Sequence, residues 1–210
     1  MKSSLKNMVL VLFTITLVAS AGVGAVNMIT EEPIAAAKAK AVQDALKQVL
    51  PAFDTTEDAE QTIDGLTIKT YKAIAAGETV GYAVETATKE GFGGMVRLMV
   101  GFDAEGRILN INVLEQSETP GLGTKMCDEG NPLITSFKGK KPAEMTLKVR
   151  KDGGDVDALT AATISSRAYT DAVARAYKAF TNADGGQTEA DEAAATGEPQ
   201  QAKEGGNDGE

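Results

Sequence analysis

The chain has no histidine, no tryptophan and a single cysteine, Cys127, among 210 residues. Without histidine there is no Ser-His-Asp triad, no imidazole general base and no His-ligated metal. One cysteine cannot close an intrachain disulfide, build a Cys-x-x-Cys zinc site or tether a c-type haem. Basic side chains are also scarce: 21 Lys and Arg stand against 30 Asp and Glu, a formal net charge of −9. A nucleic-acid partner selects for the opposite balance, so none is expected. Strong chemistry must therefore come from hydroxyls, carboxylates, amines or a bound organic cofactor.

What is present falls into unequal regions. Hydrophobic residues make up 42% of the chain, enough to build one core. The acid is concentrated at one end. Residues 184–210 carry a net charge of −7 and, Pro199 apart, no apolar side chain larger than Ala. Such a segment cannot bury enough apolar surface to offset its chain entropy, so a disordered tail is expected. It serves either as a solvating tail or as an acidic docking segment. The rest of the chain carries only −2.

Residues 7–30 hold no charged side chain, and the run from Met8 to Val18 is strongly apolar. At 1.5 Å per residue this span crosses a ~30 Å hydrocarbon core. Lys2 and Lys6 precede it and Glu31 and Glu32 follow it. The positive-inside rule then places residues 1–6 in the cytoplasm and the bulk of the chain outside. A cleaved signal peptide is the alternative, because Ala19-Ser20-Ala21 fits an A-x-A site. Apolar residues continue through Val26 and Ile29, beyond what a signal peptide needs, which favours a retained single-pass anchor in the bacterial inner membrane. Either way the domain is exported.

The exported body reads as α+β. Thr30, Glu31, Glu32 and Pro33 look like a helix start, and helical spacing then runs from Ile34 to Leu50, with Pro51 ending it. A juxtamembrane helix over 31–51 is expected between the anchor at 7–30 and a domain at 52–183. Strands are expected over residues 66–73, 79–86, 95–102 and 107–114. Val96, Leu98, Val100 and Phe102 alternate, as do Leu109, Ile111 and Val113. Turn residues between them, at 91–94 and 103–106, imply an antiparallel sheet. Residues 145–149 add a candidate strand. Ile164, Ala168, Ala172, Val173, Ala176, Tyr177 and Phe180 mark a final amphipathic helix.

Two segments read as more than scaffold. Glu118-Thr119-Pro120-Gly121-Leu122-Gly123-Thr124 joins a forced turn to two hydroxyls and several free backbone N–H groups, a candidate anion or ligand loop. Asp157 to Arg167 places Thr160, Thr163, Ser165 and Ser166 where the last helix begins. A helix N-terminus favours phosphate, and Ala161 and Ala162 are small enough to admit one. The plainer reading is a helix cap made by Thr160 or Thr163. Arg167 could add a guanidinium or point elsewhere.

Together, in this order after one anchor, these segments resemble the bacterial FMN-binding domain family. It occurs in the G subunit of the Rnf electron-transport complex and in the C subunit of the sodium-pumping NADH:quinone oxidoreductase. The family motif Asp-x-x-Ser/Thr-Gly/Ala-Ala-Thr corresponds here to Asp157, Thr160, Ala161, Ala162 and Thr163. The resemblance implies a covalent FMN, one per chain, held by a phosphoester to Thr163, with Asp157 a candidate to organise that hydroxyl or to fix the loop. It also implies flavin contacts from Glu118, Thr119, Leu122 and Gly123. Ala161 departs from the commoner Gly, and Thr160 from the commoner Ser.

The resemblance further implies an electron-carrier subunit, not catalytic alone. It would belong to a membrane complex passing electrons between ferredoxin and NAD and coupling this to Na+ or H+ transport. Its partners would be the other subunits and a flavin transferase for maturation. The chain itself has no cysteine cluster and no Gly-x-Gly-x-x-Gly after a strand. Two other functions fit less well: the relay of the quinone-reducing pump, and an exported module holding a phosphorylated ligand without a covalent bond.

Overall fold

The computed structural model describes residues 4–183. The expectations for the first three residues and for the acidic tail at 184–210 lie outside the described residues.

The first helix, α1, runs unbroken over Leu5–Val49. Its apolar part is long enough to cross a membrane, and its large side chains, Leu10, Phe13, Ile15 and Leu17 among them, are exposed. The expected helix start at Thr30 is not there. The Thr30 hydroxyl donates back to the carbonyls of Val26 and Asn27, as a hydroxyl inside a helix does. Pro33 lies within α1. It deletes one hydrogen bond, and the alanine-rich run after it, from Ala35 to Ala41, has the highest helix propensity available. Capping residues and a proline thus mark a helix start only when the preceding segment is not itself helical.

The chain divides into two compact units, Met1–Ala45 and Leu46–Glu210. In the second unit, five strands form one antiparallel meander in the order β1-β2-β3-β4-β5. They are β1 Thr55–Ile63, β2 Leu66–Ala75, β3 Glu78–Thr88, β4 Val96–Phe102 and β5 Ile108–Glu115. Two-residue hairpins join the first three. Asp64-Gly65 and Ala76-Gly77 all have positive φ, the backbone that matches the twist of paired strands. Strand β1 is additional to the expected strands. Its sequence, Thr-Thr-Glu-Asp-Ala-Glu-Gln-Thr-Ile, is polar because it is an edge strand exposed along most of its length.

One sheet face packs on the last helix, α3, over Thr163–Asn182. Ala168, Ala172, Ala176 and Ala179 are fully buried and let the helix approach closely. Phe180 stacks on Phe102 at 4.9 Å and meets Tyr82 edge-on at 5.4 Å. The opposite face receives the end of α1. A Cβ on Gly101 would lie 2.0 Å from the Val49 carbonyl, so glycine is required there. A short helix, α2, spans Pro132–Phe137.

The candidate strand at 145–149 does not form. Val149 makes only an isolated bridge to Val156. The intervening turn at Arg150–Asp152 folds the chain back, and the Arg150 amide donates to the Val156 carbonyl within this segment.

Candidate functional site

Three segments converge at the start of α3. They are the turn at residues 91–94 between β3 and β4, the loop at 118–124 after β5, and the approach to α3 at 159–165. Between them lies a cavity of about 330 Å3, within the usual range for small-molecule sites. The turn contributes Phe92; the loop contributes Thr119, Leu122 and Gly123; the helix start contributes Ala161, Ala162, Thr163, Ile164 and Ser165.

The helix start is built in an unusual way. Ala161 sits in the left-handed region at φ 58°, a conformation that costs a residue with a Cβ about 1–2 kcal/mol. A glycine at this position would adopt the same backbone without that cost. The turn continues through Ala162, the cap residue, which has no side-chain hydrogen bond to the helix. Neither Thr160 nor Thr163 caps α3, contrary to the plainer expectation. Thr160 is exposed and Thr163 is already the first helical residue. The Ser166 hydroxyl instead reaches back. It accepts from the Leu159 amide at 2.9 Å and donates to the Ala162 carbonyl at 2.8 Å. The first-turn amides are left without a side-chain acceptor, so the end presents partial positive charge beside the cavity.

The three segments are tied by one carboxylate. Glu118 is only 5% exposed. It accepts a hydrogen bond from the Ser165 hydroxyl at 2.5 Å and another from the Gly93 amide at 3.0 Å. A Cβ on Gly123 would lie 2.6 Å from the Ser165 Oγ and 2.8 Å from Glu118 Oε2, so only glycine lets the loop cross here. In the loop itself, Gly121 has φ 75° and its amide donates to the Thr124 hydroxyl at 2.9 Å. That hydroxyl is therefore used to hold the loop.

The structure thus brings Thr119, Leu122, Gly123, Ala161, Ala162 and Thr163 to one cavity. Asp157, Thr160 and Glu118 are not among its lining residues. Asp157 is exposed and paired with Arg150 at 2.5 Å. Arg167 points away, making two bonds to Asp152 at 2.6 and 2.7 Å. Those bonds hold the Asp152 carboxyl below its usual range. Cys127 lies outside the cavity lining, with its thiol pushed up by burial and by the charge of Asp128.

Two lining residues are not among those the sequence points to. Ile164 fits the periodicity of the core face of α3, yet it is 47% exposed at the cavity. Phe92 reads as part of a turn. The available signal is a large aromatic between glycines, and it is 66% exposed. With Leu122, also exposed, these side chains form an apolar wall beside a half-buried hydroxyl and an open helix N-terminus.

Fold and site define an α+β domain on a helix long and apolar enough to cross a membrane, with a cavity that sets apolar side chains beside a helix N-terminus. Residues 91–178 match the FMN-binding domain family, a span that includes all three walls of the cavity. The chain is 35% identical over 189 residues to the G subunit of the ion-translocating oxidoreductase complex of Shewanella amazonensis, covering 83% of this chain and 86% of that protein. It is 34% identical over 175 residues to the corresponding protein of Vibrio parahaemolyticus, covering 76% and 83%. A 41% identical match to the Shewanella oneidensis protein of the same name spans 53% of this chain and 54% of that one. The chain belongs to the family of G subunits of ion-translocating oxidoreductase complexes.

Proposed function

We propose that this protein is the flavin-carrying electron relay of such a complex, with FMN esterified through its phosphate to the Thr163 hydroxyl. The observation that carries this reading is the position of Thr163. It is the first residue of an uncapped helix and lines a cavity whose other wall is apolar. The residues present fit the group. The amides of the first turn of α3 offset phosphate charge, and the small Ala161 and Ala162 leave it room. Phe92, Leu122 and Ile164 supply an apolar surface for the ring.

Thr163 acts once, as acceptor. With FAD presented by a flavin transferase, the hydroxyl would take the FMN phosphoryl group, AMP leaving as the pyrophosphate bond breaks and the hydroxyl proton passing to solvent or to the transferase. No histidine or cysteine is required. Glu118 holds the loop against the helix and the glycine turn. Asp157, paired with Arg150, fixes the segment that delivers the left-handed residue Ala161. When bound, the flavin would supply electron uptake and release; the chain would supply attachment and an apolar contact surface.

The wider role follows that of the family. The protein works with other membrane and peripheral subunits of an Rnf-type complex that couples ferredoxin:NAD electron transfer to Na+ or H+ movement. Lys2 and Lys6 ahead of the apolar span favour an N-terminus in the cytoplasm and a flavin domain on the outer face of the inner membrane. A single span cannot make an ion path, so that path lies in partner subunits. The test is Thr163→Ala expressed with a competent flavin transferase. Wild type keeps a fluorescent band on a denaturing gel and Thr163→Ala loses it, whereas Thr163→Ser keeps it. A fluorescent Thr163→Ala band overturns the attachment site.

A further inference from the structure

We infer that Phe92 is the aromatic contact for the flavin ring, and that the buried Glu118 carboxylate is the positioning residue that holds it there. This rests on the FMN reading given above and extends it to a segment outside both motifs. Phe92 is 66% exposed, a state that forfeits most of the gain from burying an aromatic side chain. Leu122 at 39% and Ile164 at 47% are exposed beside the same cavity. Three large apolar side chains, one from each wall, thus stand open at one site. Thr163 and the uncapped start of α3 provide a polar, phosphate-compatible part of the same lining. Aromatic faces prefer to stack on planar π systems, and an isoalloxazine is one.

The turn carrying Phe92 is not free to move. The Gly93 amide donates to Glu118 Oε1, while Ser165 donates to Oε2. A Cβ on Gly93 would lie 1.7 Å from the Ser117 carbonyl, so the turn lies directly against the loop. One carboxylate therefore fixes the distance between the turn that bears the aromatic and the helix that bears the attachment hydroxyl.

Phe92→Trp tests this in the loaded protein, because the chain has no other tryptophan. Indole quenches flavin fluorescence on contact. The expected result is a severalfold fall in emission per bound flavin in Phe92→Trp, and a shifted visible band in Phe92→Ala. In the Phe92→Trp background, Glu118→Ala restores emission towards wild type. Glu118→Gln, which can still accept from Gly93, keeps it quenched. Phe92 is exposed, so its variants leave the fold intact, checked by circular dichroism. Unchanged emission and spectrum in both Phe92 variants overturn the contact. Equal quenching in Phe92→Trp alone and in Phe92→Trp with Glu118→Ala overturns the positioning role. If flavin binds only dissociably, the attachment reading fails while added FMN still reports the Phe92 contact. A protein that holds flavin in neither form overturns both.

Discussion

Helices α2 and α3 begin in opposite ways. Before the six-residue α2, Asn131 caps fully. Its side-chain oxygen accepts from the amides of Leu133 and Ile134 at 2.9 and 3.1 Å. Its amide nitrogen donates to the carbonyls of Met126 and Asp128, and Pro132 occupies the first position. The 20-residue α3 has four hydroxyls near its start and uses none as a cap. Ser165 serves Glu118, Ser166 serves the preceding turn, Thr160 is exposed, and Thr163 lines the cavity. A helix that needs only to be stable satisfies its own amides. On the proposed reading, α3 leaves them for the flavin phosphate, and the left-handed Ala161 adds strain at the same place.

Giving α3 the satisfied start of α2 is the strongest way to break this contrast. Ile164→Glu places a carboxylate in the first turn, where it favours the helix dipole and repels a phosphate. Flavin loading is expected to fall about tenfold, corresponding to the ~1.4 kcal/mol that a near-terminus charge can supply. The melting temperature should not drop, since Ile164 is half exposed. Absorbance per mole of purified protein, read with a thermal melt, checks both.

The converse change is Asn131→Ala. It strips the cap from α2 and leaves buried polar groups unpaired, costing about 2 kcal/mol, the upper end for an N-cap. Denaturant unfolding should show this loss while flavin content per folded protein stays constant. A smaller effect of opposite sign is expected from Ala161→Gly. Relief of the left-handed strain, less the greater freedom of glycine when unfolded, leaves about 0.5–1 kcal/mol of stabilisation, which the same denaturant titration measures. Arg167→Ala should change loading least of all, because its guanidinium is engaged by Asp152 and not by the cavity. A severalfold loss of flavin in Arg167→Ala would show that the helix start borrows charge from it.

Period and turn chemistry make much of the fold legible. Alternation in β4 and β5 and the helical spacing of α3 both reflect one-sided burial, which hydropathy records directly. Strand β1 is hidden because an exposed edge strand needs no apolar face. The unbroken α1 is hidden because Thr30, Glu31, Glu32 and Pro33 carry the same local signals inside a helix as at its start. In the site, the two loops are visible from their glycine, proline and hydroxyl content. Which side chains meet is not. Glu118 looks like a surface ligand and is a buried tie; Phe92 looks like part of a turn and is an exposed wall. Those roles depend on contacts between residues 25 and 47 positions apart, which local pattern does not encode.

The proposed attachment at Thr163 is tested most directly by peptide mass spectrometry of the protein purified from membranes of cells containing a flavin transferase. The predicted result is a peptide spanning Thr163 heavier by one FMN less one water, with fragment ions placing the addition on Thr163. An unmodified Thr163 peptide, with FMN on another residue or released intact on denaturation, would contradict it.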